Sequence, residues 1–256
     1  MLIRNYIFVI VMLAIFKKEI HQFFSSITGY VAIILFLLAN GLFLFVFPDT
    51  SLLDMGYANL DGLFELAPMI FLLLIPAITM RSLSDEFKSG TMELLSTKPI
   101  TWWQIVWGKF SACVLIVLIA LVPTIVYYVA MSALAAGGSS LDSGSIIGSY
   151  IGLFLLGSTF TAIGLWASSL TTNAVVAFLV AIFTCYIFYN GFDALSKVPV
   201  FSGGADYYLQ MAGIRYHYNS VSRGVIDSRD IIYFFSVTGL MLYLTKMSLQ
   251  RKIWQG

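Results

Sequence analysis

Six apolar runs, at residues 30–47, 63–80, 110–136, 146–168, 174–195 and 231–249, leave this chain one kind of solvent for most of its length. A hydrocarbon core about 30 Å thick takes about 20 helical residues to cross. Backbone inside it must satisfy its own hydrogen bonds, which an uninterrupted helix does. The runs are joined by polar turns and by one charged island, residues 81–99 (RSLSDEFKSGTMELLSTKP), in which six of the nineteen residues ionise. Only 11% of the 256 residues are charged and 59% are hydrophobic, whereas a soluble domain carries about a quarter charged. The chain is therefore expected to be an all-α membrane protein. Six transmembrane helices form one bundle over residues 30–249, after an N-terminal segment 1–29 and before a tail 250–256.

Lysine and arginine orient the bundle, because cytoplasmic loops hold the excess of positive charge. With both termini inside, ten of the fourteen fall on the cytoplasmic side: Arg4, Lys17, Lys18, Arg81, Lys88, Lys98, Lys109, Lys246, Arg251 and Lys252. Lys197, Arg215, Arg223 and Arg229 belong to one long external loop, 196–230, and the other external loops carry Asp49, Asp54, Asp61 and Asp142 without a basic residue. Seven tyrosines (186, 189, 207, 208, 216, 218 and 233) cluster near that face, as an interfacial aromatic belt requires. The setting is a cytoplasmic membrane with both termini inside.

Leu13, Phe16, Ile20, Phe23, Phe24 and Ile27 recur at helical spacing, opposite Lys17, Lys18, His21, Gln22 and Ser25. That pattern predicts an amphipathic helix lying in the cytoplasmic interface. Met1 and Met12 are alternative starts.

Chemistry inside the membrane is sparse. HExxH, GxSxG and GxxxxGK[ST] are absent, and His21 and His217 fall on opposite sides of the bilayer. Cys113 and Cys185 lie in apolar runs and read as inert thiols. A net charge of +1 without a basic stripe excludes nucleic acid as a partner. Pro68, Pro76 and Pro123 predict kinks whose freed carbonyls neighbours must satisfy. Glu65 and Asp193 sit near external helix ends, where a hydrated position or an interhelical hydrogen bond explains them. Small residues line the fourth run at Gly148, Gly152, Gly157 and Gly164, either as packing within the bundle or as a seam against a second subunit.

The island has its own architecture. Gly90-Thr91 breaks the chain, Thr91 is placed to cap a short helix carrying Met92, Glu93, Leu94 and Leu95, and Pro99 stops it. Thr101 and Gln104 then form a capping box for the third span. A short exposed helix with apolar residues and an acid suits a groove on a partner.

Ser84, Glu86, Lys88, Gly90-Thr91, Glu93, Leu95 and Lys98-Pro99, followed by Gly108-Lys109, make a string that resembles the permease subunits of ABC-2 type transporters. Phe16 to Ile20 (FKKEI), Phe64 to Pro68 (FELAP), Leu74 to Arg81 (LIPAITMR) and Ser222 to Asp230 (SRGVIDSRD) extend the likeness, which is greatest to the gliding-motility-associated permeases. The resemblance implies a transmembrane domain that pairs with a second permease chain, identical or related, and docks a separate ABC ATPase. The ATPase carries ATP and Mg, so this chain is expected to bind no cofactor or metal and to catalyse nothing itself. The docking surface so implied comprises Lys17, Lys18 and Glu19 on the amphipathic helix. It continues through Glu86, Gly90, Thr91, Met92, Glu93, Leu94, Leu95 and Pro99 in the coupling segment 81–109, with short helices expected in the external loop. A secondary transporter would show mid-span charge or an internal repeat, and neither is present; a non-transporting membrane scaffold stays open, as does the cargo.

Overall fold

The computed structural model describes residues 2–47, 59–96, 100–134, 142–199, 204–225 and 227–254. Among these residues every regular element is helical: α1 (Leu2–Phe24), α2 (Ile27–Phe45), α3 (Asp61–Lys88), α4 (Thr91–Ser96), α5 (Trp102–Leu121), α6 (Ile125–Leu134), α7 (Ser143–Leu170), α8 (Ala174–Tyr186), α9 (Phe192–Ser196), α10 (Ala205–Ala212), α11 (Ile214–Val221) and α12 (Ser228–Trp254). Five helical rods are long and apolar enough to span a membrane: α3, α5 with α6, α7, α8 with α9, and α12. α1 and α2 make a sixth only as a pair bent by 69°.

The bend has a local cause. α1 ends at Phe24, and the Ser26 hydroxyl accepts from the Gly29 amide at 3.3 Å, capping a new helix. Ile27, expected on the amphipathic helix, therefore opens α2, and the helix begins at Leu2 rather than Leu13.

α3 differs from its expected span in length. It runs 28 residues through both Pro68 and Pro76 and ends at Lys88, so the first half of the charged island is helix rather than loop. Pro68 has no N–H to give the Phe64 carbonyl. The Tyr218 hydroxyl, from α11, donates to that carbonyl instead, as bilayer helices with internal proline require. Pro123 breaks the third span into a 3-10 turn, Val122–Thr124. A single π-turn, Ile187–Gly191, joins α8 to α9.

α7 is the central strut, packed on α3, α8, α11 and α12. Its small residues explain the closeness. A Cβ on Gly164 would collide with Thr79 of α3, one on Gly157 would come within 2.8 Å of Val117, one on Gly152 within 3.1 Å of Val221, and one on Gly148 within 2.7 Å of Gly224. All four glycines thus face helices or turns of their own chain. Ser168 completes the α3 contact, accepting from the Leu83 and Ser84 amides at 3.0 and 3.1 Å and donating to the Met80 carbonyl at 3.0 Å.

α10, bracketed by Gly204 and Gly213, and α11 form the expected short helices before the last rod. Asp227 caps α12 by accepting from the Arg229 amide at 2.9 Å. The tyrosine belt is only partial: Tyr207, Tyr208 and Tyr216 are exposed, but Tyr189 and Tyr218 turn into the bundle.

Candidate functional site

Lys109 is the least expected side chain in the structure. It sits two turns into α5, just before the apolar stretch that starts at Phe110, and is 1% exposed. An unpaired ammonium there would carry a desolvation penalty of several kcal/mol. Its Nζ instead donates to Glu19 Oε1 at 2.7 Å and to the Ser82 carbonyl at 2.6 Å, and lies 3.0 Å from Glu86 Oε1. Lys18 Nζ donates to the same Glu86 oxygen at 2.7 Å, and the Ser82 hydroxyl lies 3.4 Å from Glu19 Oε2. Two acids and two bases from three helices balance to zero charge. Glu86 Oε2 is buried without a hydrogen-bond partner, so the network holds one unused acceptor.

Local sequence puts these groups together. Gly108 lets α1 cross directly over α5: a Cβ there would stand 2.9 Å from Ile15 Cγ2 and 3.1 Å from the Met12 carbonyl oxygen. That contact brings Glu19, one turn beyond Ile15 on α1, to Lys109, the residue after Gly108 on α5. Gln104 holds the same crossing, donating to the Phe8 carbonyl at 3.4 Å, while its side-chain oxygen accepts from the Thr101 amide at 2.7 Å in the expected box. The joint therefore locks α1, the end of α3 and the start of α5 into one piece.

α4 is mounted on that piece. The chain reverses at Gly90, whose φ of +68° is left-handed and favours glycine. Thr91, expected to cap α4, turns its hydroxyl back to the Glu86 carbonyl at 3.3 Å and to Ser89 Oγ at 3.0 Å, closing α3 instead. Met92 is 1% exposed and belongs to the main apolar core. Thr91 and Glu93 are exposed. At the far side of the joint, Lys252 Nζ of α12 stands 4.1 Å over the Phe87 ring, a cation–π contact.

The residues expected to form one docking surface thus divide. Lys17, Thr91 and Glu93 are presented to solvent, and Lys18 is half-exposed while paired. Glu19, Glu86 and Met92 are instead turned into the chain, where they brace the exposed residues. The side chains of Leu94 and Leu95, and Pro99, lie outside the described residues. From sequence, Lys109 serves for orientation and as part of the Gly108-Lys109 pair, not as a site residue. A lysine at the lip of an apolar run always needs a named partner, and that was the available signal. Elsewhere, Asp193 pairs with Lys197 at the end of its own helix at 2.8 Å and, across helices, with Arg215 of α11 at 3.5 Å.

The family model for ABC-2 family transporter proteins matches residues 7–199, a stretch that runs from within α1 to the end of α9 and contains the whole joint. The chain matches no curated protein.

Proposed function

Because the chain belongs to the ABC-2 family of transporter proteins, we propose that it is the membrane-spanning permease subunit of an ABC exporter, driven by ATP hydrolysis on a separate ATPase subunit. The observation that carries this reading is the mounting of α4. A six-residue helix with Thr91 and Glu93 outward stands on a joint whose interior is a balanced set of buried charges. A push on such a helix is transmitted to α1, α3 and α5 together, because separating the pairs would strand a charge.

The basic end of the bundle, with Lys17, Lys18, Lys88, Arg251 and Lys252, is the cytoplasmic face in this reading, and the membrane is the bacterial inner membrane. Glu93 faces the ATPase, with Lys17 alongside. The likeness to gliding-motility permeases gives the output as transport or envelope work linked to surface movement. Pairing with a second permease chain follows from the need for two ATPases to close ATP between them. Val31, Ile34, Leu35, Leu38 and Leu42 form an exposed apolar stripe down α2, whereas the glycines of α7 are already covered by their own chain. α2 is therefore the preferred seam.

The decisive experiment is co-purification in mild detergent. The native chain is expected to bring down a Walker-type ATPase, and Glu93→Arg combined with Leu94→Asp to release it while the permease stays inserted. A double variant that keeps a stoichiometric ATPase would place docking elsewhere.

A further inference from the structure

At the end of the bundle opposite the Lys109 joint, a cavity of about 560 Å³ opens between α3 and α11. Its walls are two helix faces of opposite sign. Asp61, Phe64, Glu65 and Met69 line the α3 side, and Arg215, Tyr218, Asn219 and Ser222 line the α11 side, with Arg223 just beyond. Carboxylates thus line one wall of the cavity and guanidiniums the other. Tyr189, delivered by the π-turn, closes the floor beside Tyr218, their ring centroids 6.4 Å apart. Such insertions into a helix recur at functional sites.

Two of the four charges, on Glu65 and Arg223, are left over after the protein's own pairing, while Asp61 accepts from the Asn59 side chain at 3.2 Å. Arg215 reaches Asn190 at 3.4 Å and Asp193 at 3.5 Å, both long contacts. Glu65 and Arg223 make no side-chain hydrogen bond or ion pair with any described residue, and both are exposed. The walls are stiff, because the Tyr218 hydroxyl is tied to the Phe64 carbonyl. Burial pushes that phenol well above its ordinary range, so it remains a donor. The size suits a small polar group, within the roughly 300–1,000 Å³ of ligand pockets.

The α3 side also has a direction. Asp61, Glu65, Met69 and Leu73 fall at successive i, i+4 positions, and all four are exposed. Two carboxylates at the mouth give way to two apolar side chains toward the bilayer interior. A soluble ligand needs only the upper half of that stripe; an amphiphile uses all of it.

We propose that this cavity binds the headgroup of a zwitterionic, phosphate-and-ammonium lipid. The ammonium is taken by Glu65 with Asp61, the phosphate by Arg215 and Arg223, and the tail leaves along Met69 and Leu73. The site owes nothing to ATPase docking, and its test contains no ATPase, so either idea can fail alone.

Asn219→Cys provides a reporter inside the cavity, since Cys113 and Cys185 are buried. The purified variant is placed in nanodiscs of phosphatidylglycerol with increasing phosphatidylethanolamine, and its labelling by an uncharged polar maleimide is timed. Phosphatidylethanolamine is expected to slow labelling, and phosphatidylglycerol alone is not. Adding Glu65→Gln or Arg223→Gln should raise the half-protecting fraction at least about tenfold, the effect of one lost charge-assisted hydrogen bond. Equal rates in all discs, or protection that survives both substitutions, overturns the site. Protection in detergent by glycerophosphoethanolamine as strong as that by the lipid overturns the lipid assignment and leaves a soluble zwitterion.

Discussion

At the residue scale, Lys109 shows how a charge inside an apolar helix is made tolerable. Glu19, Glu86 and the Ser82 carbonyl are all within 3.0 Å of its Nζ. Removing the lysine strands two carboxylates beside Lys18 alone. Lys109→Met is therefore expected to destabilise the chain by about 3–5 kcal/mol, the cost of breaking a buried pair from one side. A thermal melt in detergent measures it. Lys109→Met with Glu19→Gln and Glu86→Gln should regain much of the loss, since no bare charge is then buried. A triple variant as unstable as the single one sinks the account. Tyr218 poses the same kind of question with a neutral group. Tyr218→Phe leaves the Phe64 carbonyl without its donor, and an unsatisfied buried acceptor costs about 1–3 kcal/mol. Pro68→Ala restores an N–H to that carbonyl, so it should rescue Tyr218→Phe. Hydrogen exchange in α11 would report both effects.

At the element scale, close crossings decide the arrangement. Gly108→Val inserts a branched side chain where even a Cβ would stand 2.9 Å from Ile15. The expected result is a shift of α1 off α5 and a loss of about 1–3 kcal/mol, as for other overpacked contacts. Protease cleavage within α1 should rise in step, and an unchanged cleavage rate would show that the crossing is not a constraint. Apolar runs, capping residues and glycine breaks made most elements legible from sequence. α4 from residues 91 to 96, the Gln104 box at α5 and the interruption at Pro123 are where spacing puts them. One misjudged piece has a clear cause. α3 runs on to Lys88 because Lys18 and Lys109, from α1 and α5, neutralise Glu86 on its extra turns. Hydropathy along one segment registers the polar side chain and not the lysine, on another helix, that will neutralise it.

At the scale of the whole molecule, the bundle offers two unlike ends and, on α2, an uncovered apolar stripe. Cysteines placed singly at Ile34, Leu38 and Leu42 should form intermolecular disulfides in native membranes, since these side chains are exposed on one face of α2. Cysteines at Ser158 on α7 should not. Efficient coupling through α7 with none through α2 would move the seam. The candidate site was half legible: its exposed members could be named from sequence, but the division between exposed residues and the buried ones that brace them exists only in three dimensions. The length of α3 has one more consequence. Twenty-eight residues at 1.5 Å each make a rod about 42 Å long, against a hydrocarbon layer of about 30 Å. With Glu65 near one end and Glu86 near the other, the excess stands in the headgroup zones. The rod then acts as a gauge of bilayer thickness: a thicker membrane draws the Lys109 cluster toward the acyl chains, and a thinner one drowns it. Stability measured across lipids of increasing chain length should pass through a maximum, and Lys109→Met with Glu19→Gln and Glu86→Gln should flatten it.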